Sequence, residues 1–190
     1  MSSENIIKRD CRFYRGDRPC VHHKREGVKC VQCRYYAPVG EKILIVKLAA
    51  AGDVLRTTSI LSGLKEKYPR SHLTWITDRS AQPVLENNPL IDRILPVEPD
   101  GILCCLTETF SLSVNLDTDP RSCALNRLVE ADRKEGFSLD ESGAVTALSP
   151  SAEEWLQMSV FDDRKKANSK TCQEIMREII DLPAPRGEII

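Results

Sequence analysis

The sequence has no long apolar run and no strong net charge. No stretch approaches the roughly 20 apolar residues of a membrane-spanning helix, so no transmembrane segment is predicted. The formal net charge of −1 gives the whole chain no field that would attract nucleic acid or anionic lipid. The opening residues MSSENIIKRD lack the apolar centre of a signal peptide. We therefore expect a cytoplasmic protein, in which the eight cysteines are not expected to form disulfides.

Two phosphate-binding fingerprints are also missing. The dinucleotide pattern G-x-G-x-x-G does not occur, and neither does the P-loop pattern G-x-x-x-x-G-K-[ST]. The sequence also contains no internal repeat and no low-complexity tract. Any function must therefore be inferred from less common patterns.

Charge, composition and hydrophobic pattern divide the chain into three parts. Residues 1–40 are polar and rich in Cys and His, and they carry nine Lys and Arg residues against four acidic ones. Residues 41–150 alternate β-rich apolar runs with helical patterns, and residues 151–190 are predicted to be mainly helical. We expect a Cys-rich metal-binding module, a Rossmann-like domain, and C-terminal helices that lead toward a further domain.

The middle part predicts an α/β fold with a doubly wound parallel sheet. Four strands are expected, at 42–48, 72–77, 91–97 and 111–117. Helices are expected between and after them, over 54–68, 81–88, 102–110 and 123–129, with Asp53 as the first N-cap. A β-hairpin is expected over 136–149, around Ser142-Gly143.

The last part predicts two helices, over 152–161 and 165–182. Ser151 is the expected N-cap of the first, with Glu154 completing a capping box. Pro183 and Pro185 end the second, and the closing RGEII resembles the beginning of another strand.

The turn AAAGD after the first strand is the candidate ligand site. Ligands of open α/β sheets bind outside the carboxyl ends of the strands. The small residues Ala51 and Gly52 allow a substrate to approach the backbone closely, and the helix N-terminus favours negative charge. Lys47 at the strand end could contact an anionic substrate. On spacing alone, a purely structural cap is the favoured interpretation of Asp53.

Three more charged residues are candidates for substrate binding. Arg56 lies one turn into the helix that follows the first strand and could face the same cleft. Asp78 and Arg121 follow later strands, so parallel strands would place them at the same edge of the sheet.

The stretch from Ile43 to Val97 resembles the opening of glycosyltransferase family 9, the ADP-heptose:lipopolysaccharide heptosyltransferases. The resemblance depends on the strand ILIVK, the Gly-Asp pair that opens the next helix, the Leu-rich helix ending at Tyr68-Pro69, and the strand DRILPV. SLSVNLDTDPRSCAL is similar to the family's fourth strand and following turn. The resemblance implies a GT-B architecture with two Rossmann-like domains, of which this chain is the N-terminal, acceptor-binding half.

The resemblance also implies a function. It is metal-independent, inverting transfer of a sugar from a nucleotide-sugar to a lipopolysaccharide core or related glycan, without a catalytic cofactor. Asp53 would be the catalytic base and Lys47 would lie near the acidic acceptor. The donor would be bound by an absent half, supplied by a second domain or a partner chain, so we expect the chain to be inactive alone. Association with the cytoplasmic face of the inner membrane is a further expectation.

The sequence departs from the family pattern in the first turn. Many members have hydroxyl residues where this chain has Ala49, Ala50 and Ala51, so a hydroxyl contact with the acceptor is not expected here.

The cysteine pattern of residues 1–40 predicts a metal site. Cys11, Cys20, Cys30 and Cys33 have the spacing C-x8-C-x9-C-x2-C, and a C-x2-C pair can hold a tetrahedral ion from one turn. Structural zinc is the first expectation, and an iron–sulfur cluster or redox-active thiols are the alternatives. His22 or His23 could replace one thiolate. Metal binding would stabilise a segment too polar to fold by burial.

The metal module is expected to be a brace on the Rossmann-like domain, and an anion-binding surface is the alternative. The leading hypothesis for the whole chain is a glycosyltransferase half. The alternative is a non-enzymatic metal-binding or nucleic-acid-binding protein on a Rossmann-like scaffold, although nucleic acid is not the expected partner. Cys104, Cys105, Cys123 and Cys172 are expected to be buried apolar side chains.

Overall fold

A computed structural model describes residues 7–183, which fall into two compact units divided between Gly40 and Glu41. In the first unit, helix α1 (Val21–Glu26) begins after Cys20 and ends at Gly27, whose positive φ of 68° stops it. A 3-10 turn follows at Cys30–Gln32. An antiparallel bridge joins Cys11 to Pro38, so the two ends of the described part of this unit lie side by side.

The second unit contains a six-stranded sheet. Its strands are β1 (Lys42–Val46), β2 (His72–Thr77), β3 (Arg93–Pro96), β4 (Thr109–Asn115), β5 (Glu130–Leu139) and β6 (Val145–Ala147). The spatial order is β3-β2-β1-β4-β5-β6, with the first five parallel and β6 antiparallel. The predicted α/β fold with a mostly parallel sheet is confirmed.

Seven helices of the second unit are described. They are α2 (Ala51–Thr57), α3 (Leu61–Lys67), α4 (Pro99–Leu106), α5 (Pro120–Leu128), α6 (Pro150–Val160), α7 (Asp162–Ala167) and α8 (Cys172–Ile179). Two 3-10 segments, Thr58–Ile60 and Arg79–Val84, lie between them.

Both faces of the sheet are buried. Alternate residues of β1 belong to different apolar clusters: Ile43 and Ile45 pack in one, Leu44 and Val46 in the other. Because successive side chains of a strand point to opposite faces, the continuous apolar run of β1 is what a doubly covered strand requires. Residues of α6 and α8 pack in the first cluster, so the helices after residue 149 share the core of the sheet.

Helix starts differ from the prediction where proline occupies the first turn. Helix α6 begins at Pro150, and its N-cap is Ser149, whose hydroxyl accepts from Ala152 N, rather than Ser151. Helix α4 likewise begins at Pro99, earlier than predicted, and Phe110 belongs to strand β4 instead of the helix.

Two further differences lie in polar segments. The first six residues of β5, EADRKE, were not predicted as a strand because they show no apolar alternation. The long final helix is divided, because Thr171 and Glu174 form a capping box that starts α8 afresh. The strand predicted at RGEII lies outside the described residues.

Candidate active site

The strand order reverses between β1 and β4, and the candidate site lies at the carboxyl ends of these two strands. In β3-β2-β1-β4-β5, chain order runs outward in both directions from this point. The crevice at such a reversal is where open α/β sheets bind ligands. Lys47 follows β1 and Asp117 follows β4. The topology therefore brings together two residues that lie 70 positions apart.

Lys47 and Asp117 form a buried ion pair. The Lys47 ammonium lies 3.2 Å from Asp117 Oδ2, and only 11% and 14% of the two side chains are exposed. The same oxygen accepts a hydrogen bond from Leu48 N at 3.3 Å, and Asp119 N donates to Asp117 Oδ1 at 3.2 Å. Asp117 was not predicted as a site residue, although its position at the carboxyl end of a predicted strand was the available signal.

Asp53 lies in the first turn of α2, but it does not cap the helix. The helix begins at Ala51, and its N-cap is Ala50, which makes no side-chain capping bond. The prediction of Asp53 as N-cap was wrong because the small residues Ala51 and Gly52 enter the helix. Half of the Asp53 side chain is exposed, and its Oδ1 pairs with Arg56 Nη1 at 3.1 Å. The carboxylate is therefore available to a molecule at this edge of the sheet.

The turn itself is open. The peptide between Ala49 and Ala50 is cis. A Cβ atom added at Gly52 would meet no other atom within 4 Å, so nothing in the described chain requires glycine there. Space in front of Gly52 is compatible with the predicted close approach of a ligand to the backbone.

Asp78 and Arg121 are brought together as predicted for residues at one sheet edge. Arg121 Nη1 lies 3.6 Å from Asp78 Oδ1, and Arg121 Nε lies 3.2 Å from Asp119 Oδ1. Asp119 also caps α5 by accepting from Arg121 N. The hydrogen bond from the Arg121 side chain, opposed by partial burial, holds the pKa of Asp119 below its usual value. Arg121 is more than half exposed, which leaves guanidinium nitrogens accessible to an anion.

Three ion-paired groups lie at this edge of the sheet, and the hydrogen bond from Asp119 N to Asp117 Oδ1 links two of them. Lys47 pairs with Asp117, Arg121 with Asp78 and Asp119, and Asp53 with Arg56. Within residues 7–183, no hydrogen bond or ion pair joins Asp53 to either of the other groups. A substrate that contacts all three would have to bridge them.

The four predicted metal ligands line one cavity of the first unit. Cys11, Cys20, Cys30 and Cys33 are free thiols of intermediate exposure around a space of about 380 Å³. Among the described residues, no three or more His, Cys, Asp or Glu side chains are already gathered in an arrangement that could hold a metal ion.

Comparison with known proteins gives one sequence relative and several similar folds. The chain is 31% identical over 64 residues to lipopolysaccharide heptosyltransferase 1 of Campylobacter coli, a match that covers 33% of this chain and 19% of the relative. No family model matches the chain.

Several solved structures share the fold of this chain. The E. coli heptosyltransferase WaaC with ADP matches with a TM-score of 0.54 at 20% identity, over 77% of this chain and 49% of that one. A glycosyltransferase family 9 protein from Veillonella parvula matches with a TM-score of 0.55 at 20% identity, over 74% and 41%. The chain resembles the heptosyltransferases of glycosyltransferase family 9.

The resemblance to family 9 has a defined extent. The structural matches establish a shared fold, and the chain spans about half the length of the solved heptosyltransferases. Within residues 7–183, no helix combines the length and apolar character needed to cross a membrane. The roles that the resemblance implies for Asp53 and Lys47 remain predictions, and the structure supplies their surroundings.

Proposed function

We propose that this chain is the acceptor-binding half of a glycosyltransferase that moves a heptose or related sugar from a nucleotide-sugar to a lipopolysaccharide core acceptor. The observation that carries the proposal is the 31% identity with lipopolysaccharide heptosyltransferase 1. Sequence similarity at that level narrows the function more than a shared fold does, because one fold serves many chemistries. Transfer would be inverting, independent of metal, and completed by a donor-binding GT-B domain.

In the proposed reaction, Asp53 acts as the general base. The acceptor hydroxyl oxygen forms a bond to the anomeric carbon while the bond from that carbon to the nucleoside diphosphate breaks. The hydroxyl proton passes to the Asp53 carboxylate, and the diphosphate leaves with the bonding electron pair. Two features support this role. The Asp53 side chain is half exposed, and the cation paired with it, Arg56, is itself half exposed.

The acceptor of the proposed reaction is anionic, and the sheet edge offers cations to hold it. Arg121 is the more accessible of these, with its side chain 59% exposed. Lys47 is almost fully buried against Asp117. It therefore contributes positive charge from within the site and is not an exposed ammonium group that a ligand contacts directly. Asp117 therefore positions the Lys47 ammonium. Small residues at Ala51 and Gly52 leave room for the sugar hydroxyl to reach Asp53.

The test replaces Asp53 by Asn in the complete gene product. With ADP-heptose as donor and a lipopolysaccharide inner-core acceptor, we expect ADP release to fall by roughly 100-fold or more, the range typical for loss of a general base. Acceptor binding and the thermal midpoint should change little, because exposed ion pairs contribute about 1 kcal/mol or less.

Asp100→Asn is the matched control. Asp100 is an exposed aspartate in the first turn of α4, so it shares the helix position and chemistry of Asp53 but lies after a different strand. Its turnover should stay close to that of the unmodified enzyme. Turnover of Asp53→Asn above a tenth of the original rate would contradict the base role, and no ADP release by the unmodified protein would contradict the transferase.

A further inference from the structure

The first unit has order without an apolar core. Not one residue between 7 and 40 is fully buried, and both apolar clusters of the described chain begin after Gly40. Yet this stretch forms a helix, a 3-10 turn and a bridge between its ends. Segments of about 40 residues or fewer that lack a core are held by disulfides, metal ions or a partner. Since the four thiols here are unpaired, disulfides do not supply the stabilisation.

The backbone brings all four cysteines to one cavity. Cys11 lies in the bridge that joins the ends of the unit, Cys20 immediately precedes α1, and Cys30 and Cys33 flank a 3-10 turn closed by the bond from Cys33 N to Cys30 O. All four line the same cavity of about 380 Å³. The bridge, the helix and the 3-10 turn of this unit therefore each contribute at least one cysteine to that cavity.

Cys20 is held in place by the start of α1. Its Sγ atom caps the helix by accepting a hydrogen bond from His23 N at 3.4 Å.

The cavity also contains a nitrogen without a partner. The His22 ring stacks on Tyr35, with centroids 3.9 Å apart, and meets Phe13 edge-on at 4.5 Å. Its Nε2 atom is buried and has no hydrogen-bond partner among the described residues. Buried polar atoms are nearly always paired, so this nitrogen is the alternative ligand in the same cavity should one thiolate stay outside the shell.

We propose that Cys11, Cys20, Cys30 and Cys33 bind one zinc ion, and that this ion stabilises the fold of the first unit. Four thiolates form a closed tetrahedral shell, which suits a structural zinc ion. The thiols are not yet gathered into that shell in the structure, so binding requires them to rotate toward one another within the cavity they share. The ion would supply the folding free energy that this unit cannot obtain from burial. The proposal is independent of the glycosyltransferase function.

Elemental analysis of the full chain, purified without chelator, is the first test. We expect about one zinc per chain, and less than about half of that in Cys30→Ser and in Cys33→Ser. Cys104→Ser is the control, because Cys104 is an exposed thiol of α4 in the second unit, and it should keep the full zinc content. Zinc below half an equivalent in the unmodified chain, or unchanged in the two serine variants, would overturn the proposal. Iron in place of zinc, together with visible absorbance, would also overturn the proposal and would indicate an iron–sulfur cluster.

Thiol labelling gives a second test that needs no variant. With metal bound, Cys11, Cys20, Cys30 and Cys33 should resist alkylation at least tenfold better than after treatment with a chelator, as judged by mass spectrometry of labelled peptides. The exposed Cys104 should label at the same rate in both conditions. Equal labelling of the four thiols with and without chelator would overturn the proposal, even if the serine variants fail to fold.

Discussion

At the scale of single residues, the environment of Lys47 differs most from what the sequence suggests. A lysine at a strand end is usually exposed, but here Asp117 and the end of β1 enclose it, with 8% of the residue accessible. Removing one member of a buried ion pair destabilises the fold more than replacing both members, because a single removal leaves the other charge buried and unpaired. The pair therefore couples the stability of the sheet edge to the charge of the site.

Double substitution tests this coupling. We expect Asp117→Asn to lower the free energy of unfolding by about 3–5 kcal/mol, because it leaves the Lys47 ammonium buried without its counter-charge. Adding Lys47→Met should restore part of the loss, with a coupling of about 1–3 kcal/mol in denaturant unfolding. The comparison pair is Arg79–Glu98, which is close at 2.6 Å but exposed. Arg79→Gln should cost about 1 kcal/mol or less, and strictly additive effects of the Lys47 and Asp117 changes would contradict the coupling.

Asp92 makes the stability of the fold depend on pH in the acid range. Its Oδ2 accepts from Leu73 N at 2.9 Å and from the Lys65 ammonium at 3.0 Å. Burial opposes ionisation, but these two donors outweigh it and lower the pKa of Asp92 below its usual value. A depressed pKa stabilises the fold above the unfolded-state pKa of about 3.9, and this contribution is lost as pH falls through the folded-state pKa.

We therefore expect Asp92→Asn to cost about 1.5–3 kcal/mol at pH 7, and the difference from the unmodified chain to shrink as the pH falls below about 4. Urea unfolding across this pH range measures it. A difference that stays constant between neutral and acid pH would show that the ionised carboxylate is not the source.

At the scale of elements, Gly136 determines how closely β5 approaches the site. It pairs with Asn115 at the end of β4, has a φ of 88°, and a Cβ there would lie 1.8 Å from Asn115 O. The end of β4 carries the chain toward Asp117. Only glycine allows the two backbones to come this close at that point.

Gly136 and Gly143, the two glycines of the β5–β6 region with positive φ, allow the cost of backbone strain to be measured apart from the cost of a steric clash. Gly143 has a similar φ of 82°, but a Cβ there would meet nothing within 4 Å. Gly143→Ala should cost about 1–3 kcal/mol from backbone strain alone. Gly136→Ala adds the collision with Asn115, so its loss in denaturant unfolding should exceed that of Gly143→Ala by at least about 2 kcal/mol. Equal losses would mean that β5 can move away from β4 freely.

The elements also show where the sequence was informative. The apolar strands were predictable, since runs such as KILIV bury both faces and leave no other arrangement for their side chains. The polar half of β5 was not, because one of its edges faces solvent beyond the short pairing with β6 and needs no apolar pattern. Likewise, Asp117 and its partner Lys47 meet only through the strand order, which a local pattern does not encode.

At the scale of the whole molecule, the candidate site was predictable in position but not in its partners. The rule that ligands bind at the carboxyl ends of strands correctly put Asp78 and Arg121 at one edge. It did not reveal that every candidate charge already has a counter-charge in the folded chain. This pairing implies that any anionic ligand at this edge must compete with Asp117, Asp119 and Asp53 for the cations it binds.

The division into two units leads to a prediction about folding. All members of both apolar clusters lie after Gly40, so the second unit contains its own core. Burial of that core, at about 25 cal/mol for each Å² of apolar surface, is the main term that favours folding. Removing residues 1–40 should therefore leave a cooperative unfolding transition whose free energy agrees with that of the longer chain within about 1 kcal/mol. Circular dichroism during urea titration measures both. A shortened chain that unfolds without a cooperative transition would show that residues 1–40 are needed to fold the sheet, and the brace expected of the metal module would then act on the whole molecule.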